Sequence, residues 1–64
     1  MIIELFDKVQ LKKGKTAHIV EIYSQGEAYE ADIYDGDGEY STDTIKHNEI
    51  LYVFADKTPH RTAI

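Results

Sequence analysis

Short segments in which polar and apolar residues alternate, separated by polar turns that contain glycine, constrain the fold of this chain more than any other feature. A period of two is the spacing of a β-strand with one buried face. Residues 45–49 are too few for a stable helix and do not alternate, which indicates a single 3₁₀ turn. The pattern predicts an all-β fold, a small five-stranded antiparallel barrel or sandwich. We place its strands at 7–12, 16–23, 28–34, 39–44 and 50–54.

Two of the predicted strands depart from simple alternation. In the second, Ile19 and Val20 are adjacent, which predicts a bulge or a strand buried on both faces. The fourth is the most polar of the five, so we expect it near an edge of the sheet, where one side needs no strand neighbour.

The third predicted strand alternates cleanly between a buried face and a wet face. Its buried face carries Tyr29, Ala31 and Ile33. Its wet face carries Glu30, Asp32 and Tyr34. We expect Tyr34 to meet Tyr40 of the next strand as a cross-strand aromatic pair.

Length and composition limit the chain to one small domain. With 64 residues and no cysteine, it buries only about 60% of its unfolded surface and has no disulfide or thiolate zinc site to stabilise it. We place a barrel at 1–54 and a flexible tail at 55–64, where the apolar pattern stops.

The expected location is the cytoplasm. Glu4, Asp7 and Lys8 interrupt the apolar N-terminus too early for a signal peptide core. No apolar run approaches the roughly 20 residues that span a bilayer. The missing cysteines fit a reducing compartment, so we expect a soluble cytoplasmic domain.

Charge is unevenly distributed along the chain. The formal net charge is −5, and residues 21–49 contain nine acidic residues against Lys46 alone. Such a surface repels a phosphate backbone, so nucleic acid is a disfavoured partner. The same surface suits a basic protein, although charged outward faces also keep small domains soluble.

The stretch YDGDGEY at 34–40 has two interpretations, a calcium loop or a hairpin turn. An EF-hand loop needs more oxygen ligands, a glutamate at its twelfth position and helices on both sides. Here position twelve from Asp35 is Lys46, and strands flank the loop. Asp-Gly pairs favour tight hairpin turns, so we predict a turn there, with no metal and no cofactor.

Catalytic chemistry has no clear signature in the sequence. The histidines are His18, His47 and His60, on a strand, in the 3₁₀ turn and in the tail respectively. A nucleophile needs such a base within hydrogen-bond reach, and no local motif supplies that arrangement. We therefore predict no catalytic residue and a protein that is not an enzyme.

Several segments together resemble a known family. These segments are DKVQL at 7–11, Gly14, AHIVEIY at 17–23, AYEADI at 28–33 and DGDGE at 35–39. In this order they are similar to small bacterial domains of unknown function built on a KOW-like SH3-like barrel, although the chain has Ala17 where KOW-like domains usually have glycine. The resemblance extends over residues 5–53 and implies an SH3-like barrel with a binding role and no catalytic residue.

The favoured function is a non-enzymatic protein-interaction module of uncharacterised role. Tyrosines among carboxylates offer apolar contact area at a small entropy cost. Open strand edges also invite pairing, so we expect a monomer or a weak edge-strand homodimer. The predicted protein-binding residues are Glu30, Asp32, Tyr34, Asp37, Glu39 and Tyr40.

Two alternatives stay open from the sequence. One is a KOW-like RNA- or ribosome-associated domain that uses Lys12, Lys13 and Lys15, with Tyr23 or Tyr52 stacking on a base. The other is an acidic mimic of nucleic-acid phosphates that inhibits a DNA- or RNA-binding protein. A contiguous basic patch is required by the RNA-binding alternative alone.

Overall fold

One antiparallel sheet of five strands forms the described part of the protein. A computed structural model describes residues 1–55. The strand order is β4-β3-β2-β1-β5, with a 3₁₀ turn over His47–Glu49 just before the last strand. The strands are β1 (Lys8–Leu11), β2 (Thr16–Ser24), β3 (Ala28–Tyr34), β4 (Tyr40–Lys46) and β5 (Ile50–Val53).

The predicted all-β architecture is confirmed, including a 3₁₀ turn before the last strand and the edge position of β4. The turn is shorter than predicted, because Ile45 and Lys46 pair with β3 and belong to β4. β4 and β5 are the two ends of the strand order, so backbone pairing does not close the sheet into a complete barrel. Most of the predicted tail, residues 56–64, lies outside the described part of the chain. Residues 1–55 contain no helix with the length and apolar character needed to cross a membrane.

The predicted irregularity in the second strand is confirmed as a bulge. The β2–β3 register shifts between Ile19 and Glu21, which leaves Val20 between two paired positions. An extra residue of this kind bends its strand and increases the local twist. The bulge therefore curves β2 around the core, and Val20 is only half-buried.

The core lies on one side of the sheet, which we call the inner face. β3 contributes the three residues predicted for its buried face, Tyr29, Ala31 and Ile33. The strands around it and the N-terminal segment supply mostly aliphatic side chains to the same cluster. The other core members are Ile3, Val9, Leu11, Ala17, Ile19, Ile45 and Ile50.

The hydroxyl group of the buried Tyr29 lies at the centre of a hydrogen-bond network. The Gly26 amide donates to it at 2.8 Å, and His47 Nδ1 lies 2.7 Å away. Gln25, whose Oε1 is 3.5 Å from the hydroxyl, also bonds both backbone groups of Ile3, at 2.9 and 2.8 Å. The network joins β3 to the β2–β3 turn, the 3₁₀ turn and the N-terminal segment.

β4, an edge strand, carries mostly polar side chains on both of its faces. Asp43 pairs with Ala31 and Ser41 pairs with Ile33, so both point to the inner face, yet both are exposed. Only Ile45 of this strand is buried. A charged residue on the inward side of an edge strand discourages pairing with another sheet.

Removal of the Tyr29 hydroxyl is expected to destabilise the domain. The Tyr29→Phe variant leaves the Gly26 amide and His47 Nδ1 without their partner, which costs about 1–3 kcal/mol. Urea unfolding followed by circular dichroism measures the change. The matched control is Tyr23→Phe, because Tyr23 is an exposed tyrosine whose hydroxyl bonds Glu30 outside this network, and its loss is expected to be smaller. Equal losses in the two variants would contradict the role of the network.

Candidate functional site

The side of the sheet opposite the core, which we call the outer face, carries four of the six predicted binding residues at paired positions of β3 and β4. Thr16 pairs with Tyr34, and Tyr34 pairs with Tyr40. Two positions back along β3, on the same face, His18 pairs with Asp32, and Asp32 pairs with Thr42. Directly paired residues on one face lie about 4.5–5.5 Å apart between Cβ atoms, so these side chains form one continuous surface.

The structure brings the six predicted protein-binding residues to one region, which we call the acidic patch. Glu30, Asp32 and Tyr34 lie on the outer face of β3, and Tyr40 lies beside Tyr34 on β4. Asp37 and Glu39 lie in the exposed β3–β4 turn at the end of these two strands. Strand alternation and the short turn are sufficient to place all of them together.

The two central carboxylates of the acidic patch are held by hydroxyl groups. Thr42 donates to Asp32 Oδ1 at 2.6 Å, and Thr44 donates to Glu30 Oε1 at 3.1 Å. Tyr23 donates to the same Glu30 oxygen at 2.8 Å. These supporting hydroxyls were not among the residues predicted from the sequence, although the spacing of Tyr40, Thr42 and Thr44 places all three on one strand face.

The predicted pair of Tyr34 and Tyr40 is confirmed. Their ring centroids are 5.2 Å apart with planes inclined at 44°. Aromatic pairs at such distances contribute about 0.5–1.5 kcal/mol beyond the area they bury. Tyr40 nevertheless keeps 58% of its surface exposed, so this ring combines a fixed position with free contact area.

The YDGDGEY segment forms a hairpin turn, as predicted. The Asp35 amide donates to the Glu39 carbonyl at 3.1 Å, and the Asp37 amide donates to Asp35 Oδ1 at 2.8 Å. Gly36 and Gly38 have φ of +96° and +88°, which residues other than glycine rarely adopt. Among residues 1–55, no group of three or more His, Cys, Asp or Glu side chains is arranged to hold a metal ion.

A groove of about 400 Å³ opens on the outer face beside the acidic patch. It is lined by Phe6, His18, Val20, Asp32 and Tyr40. β2 and β3 supply its histidine, valine and aspartate, and β4 supplies the tyrosine. The groove therefore combines two aromatic rings, an imidazole, an aliphatic side chain and one carboxylate.

Phe6 enters the groove lining from the segment before β1. The Asp7 amide donates to the Glu4 carbonyl at 3.1 Å to close a turn, and the Phe6 amide donates to the Ile19 carbonyl at 2.7 Å. Phe6 has a φ of +68° and is 74% exposed. The left-handed conformation costs an L-residue about 1–2 kcal/mol. Phe6 was not predicted from the sequence, since nothing about a phenylalanine signals a positive φ.

The three lysines of the RNA-binding alternative lie in the β1–β2 turn. Lys12, Lys13 and Lys15 are all exposed. Because Thr16, at the start of β2, pairs with Tyr34, at the end of β3, this turn lies at the same end of the sheet as the acidic β3–β4 turn. The lysines therefore share their end of the molecule with carboxylates.

A second group of aromatic residues lies on the outer face near β5, at the other end of the strand order from the acidic patch. Lys8 of β1 has its Nζ atom 4.8 Å from the centroid of the Phe54 ring. Tyr52 of β5 packs edge-on against the same ring at 5.3 Å. The Lys8 ammonium is thus directed over the β5 side of the sheet.

The hydrogen bond from Tyr23 to the Glu30 carboxylate raises the pKa of the Tyr23 phenol above its ordinary value. Desolvation and the negative charges of Glu30 and Glu21 act in the same direction, and a hydrogen bond with Thr44 opposes them. Because the pKa of the Tyr23 phenol is higher in the folded protein than in the unfolded chain, the hydrogen bond to Glu30 stabilises the fold. This contribution to stability is complete below the ordinary phenol pKa of about 10. It is lost as the pH rises through the raised value.

Comparison of the chain with protein-family models, with curated proteins and with solved structures finds no match. Proposals about the function of this protein therefore depend on the geometry and charge of its own residues.

Backbone strain at Phe6 can be measured by comparing two substitutions that both remove the ring. Glycine accepts the positive φ freely, whereas alanine does not. We expect Phe6→Gly to be more stable than Phe6→Ala by about 0.5–1 kcal/mol after the greater entropy of unfolded glycine is included. Urea unfolding of both variants gives the difference. An alanine variant as stable as the glycine variant would argue against strain at this position.

Substitution of Glu30 is expected to lower the pKa of Tyr23. The Glu30→Ala variant removes the hydrogen-bond acceptor and the charge that raise it. Tyrosine ¹³Cζ chemical shifts, recorded between about pH 8 and 12, report the titration of each phenol separately. Asp32→Ala is the matched control, because Asp32 accepts from Thr42. An unchanged Tyr23 titration in the Glu30 variant contradicts the assignment.

Proposed function

We propose that this protein is a non-enzymatic interaction module whose acidic patch binds a basic protein. The observation that carries the proposal is the gathering of four carboxylates and two tyrosines on one part of the outer face and its adjoining turn. The residues concerned are Glu30, Asp32, Tyr34, Asp37, Glu39 and Tyr40.

Four of these six side chains are held in position by their neighbours, which supports binding. Thr42 and Thr44 hold Asp32 and Glu30, and Tyr34 packs against Tyr40. Binding normally costs about 0.5–1.5 kcal/mol for each side chain that becomes immobilised. Side chains that are already held lose less freedom, so more of the contact energy is available to the complex.

Charge supports a basic partner rather than an acidic one. The formal net charge is −5, and fields of this kind steer oppositely charged proteins toward the surface. Tyrosine gives the partner apolar contact area, and tyrosine is enriched among residues that dominate interface energies. The acidic patch thus combines long-range attraction with short-range contacts.

We favour the outer face over the edge of β4 as the binding surface. Asp43 and Ser41 are exposed on the inner side of that edge strand, and an inward charge disfavours addition of another strand. This arrangement disfavours a homodimer that pairs through the edge of β4.

The proposal assigns no catalytic step to the described residues. His47 Nδ1 is engaged with the buried Tyr29 hydroxyl at 2.7 Å, where it supports the fold. The groove that contains His18 has no serine, threonine or cysteine among its lining residues. The lining therefore supplies an imidazole but not the nucleophile that a Ser-His or Cys-His mechanism needs.

A comparison of a double variant and a matched control with wild-type protein tests the acidic patch. Affinity capture followed by mass spectrometry identifies partners, and calorimetry with the purified partner measures the dissociation constant. We expect Glu39→Ala with Tyr40→Ala to weaken binding at least about ten-fold, since truncated interface anchors cost more than about 1 kcal/mol. The matched control is Glu27→Ala with Tyr52→Ala, which removes the same two residue types elsewhere and is expected to bind normally.

Replacement of Lys12, Lys13 and Lys15 by glutamine separates this function from the RNA-binding alternative. An interaction module with an acidic patch keeps its affinity in this variant. If the wild-type protein captures RNA and the lysine variant does not, the result would instead support a KOW-like RNA-binding domain. A captured DNA- or RNA-binding protein that loses its nucleic acid when it binds would support the phosphate mimic. Capture that is equal in the Glu39/Tyr40 variant and in the control contradicts the proposal.

A further inference from the structure

The groove beside the acidic patch has a lining suited to one particular kind of side chain. Phe6 and Tyr40 supply aromatic rings, Val20 supplies aliphatic surface and Asp32 supplies a carboxylate. We infer that this groove binds an arginine side chain of the basic partner. The inference rests on the proposed function, because it names the group that the partner contributes.

The carboxylate determines the charge of the occupant. Asp32 is the one lining residue with a formal charge at pH 7 when histidine is neutral. The Thr42 hydroxyl donates to Asp32 Oδ1 at 2.6 Å and so fixes the orientation of the group. A carboxylate offers about four acceptor sites on its two oxygens. One hydroxyl donor therefore leaves acceptor capacity for the N–H groups of a cation.

The aromatic rings favour a planar cation. A guanidinium stacks on aromatic faces and is more weakly hydrated than an ammonium, so arginine loses less solvation than lysine in such a groove. Cations are attracted to a ring within about 6 Å of its centroid. The nonpolar surface of Val20 suits the aliphatic stem of the arginine, which long basic side chains commonly bury.

Phe6 reaches this groove through a strained backbone. Phe6 has a φ of +68° and lines the groove together with the bulge residue Val20. Phe6 is exposed, so burial in the core does not offset the cost of this backbone conformation. Strained conformations cluster at ligand clamps and other functional sites. The strain at Phe6 is therefore an observation, independent of the charge of Asp32, that points to the same groove.

The nearest cation in the same row of the sheet is directed elsewhere. Lys8 pairs with His18, which pairs with Asp32, so the three lie in one row across the outer face. The Lys8 ammonium lies 4.8 Å from the centroid of the Phe54 ring, on the side of β1 away from Asp32. An arginine from a partner therefore meets Asp32 without displacing Lys8 from its ring.

An NMR titration with N-acetyl-arginine N-methylamide tests the inference on the full chain. We expect saturable amide shifts in a ¹⁵N–¹H spectrum, concentrated at Phe6, His18, Val20, Asp32 and Tyr40. The citrulline analogue has the same shape without charge and should leave the spectrum unchanged. The lysine analogue should bind more weakly than the arginine analogue.

Substitutions then identify the groups responsible. We expect Asp32→Asn to weaken binding of the arginine probe about ten-fold, as loss of a charge-assisted hydrogen bond predicts, and Phe6→Gly to weaken it several-fold. The glycine variant relieves backbone strain, so its fold is retained. Asp43→Asn is the matched control, since Asp43 lies on the inner face of β4, and should bind as wild type. Loss of affinity in the control equal to that in Asp32→Asn overturns the inference.

The outcomes separate the inference from the proposed function. Shifts confined to the β3–β4 turn, or equal shifts with citrulline, overturn the groove assignment while the acidic patch stands. The absence of any shift also overturns it. The proposed function is judged separately, by the Glu39/Tyr40 variant and the captured partner.

Discussion

The hydroxyl group of Tyr29 holds together parts of the chain that would otherwise have little reason to meet. A domain of 64 residues without cysteine has few means of stabilising itself beyond a small core. The ring of Tyr29 is completely buried in that core, and its hydroxyl bonds Gly26 and approaches His47 and Gln25. Because Gln25 in turn bonds both backbone groups of Ile3, one side chain connects four segments.

β3 links the stability of the protein to its proposed function. Successive residues of a strand point to opposite faces, so the strand that buries Tyr29, Ala31 and Ile33 must display Glu30 and Asp32 on the other side. The core therefore fixes the position and direction of the two central carboxylates. The threonines of β4 then restrict the remaining freedom of these side chains through hydrogen bonds.

The groove depends on two departures from regular strand geometry. The bulge at Val20 breaks the alternation of β2, and the positive φ of Phe6 turns the chain before β1. Together they bring an aliphatic side chain and an aromatic ring to the same groove as Asp32. The groove and the acidic patch share Asp32 and Tyr40.

Local patterns in the sequence determined the strands, the turns and the two faces of β3. Alternation identifies a strand face from neighbouring residues alone, and Asp-Gly pairs specify a hairpin through the positive φ that glycine allows. The Tyr34–Tyr40 pair and the gathering of the six patch residues follow from these two rules.

Tertiary structure decided the Tyr29 network and the groove. Tyr29 and His47 are separated by 18 positions, and Ile3 and Gln25 by 22. Such contacts depend on how the sheet curls around its core, and the strain at Phe6 exists only because the folded chain holds that turn in place, so no local pattern could reveal either one.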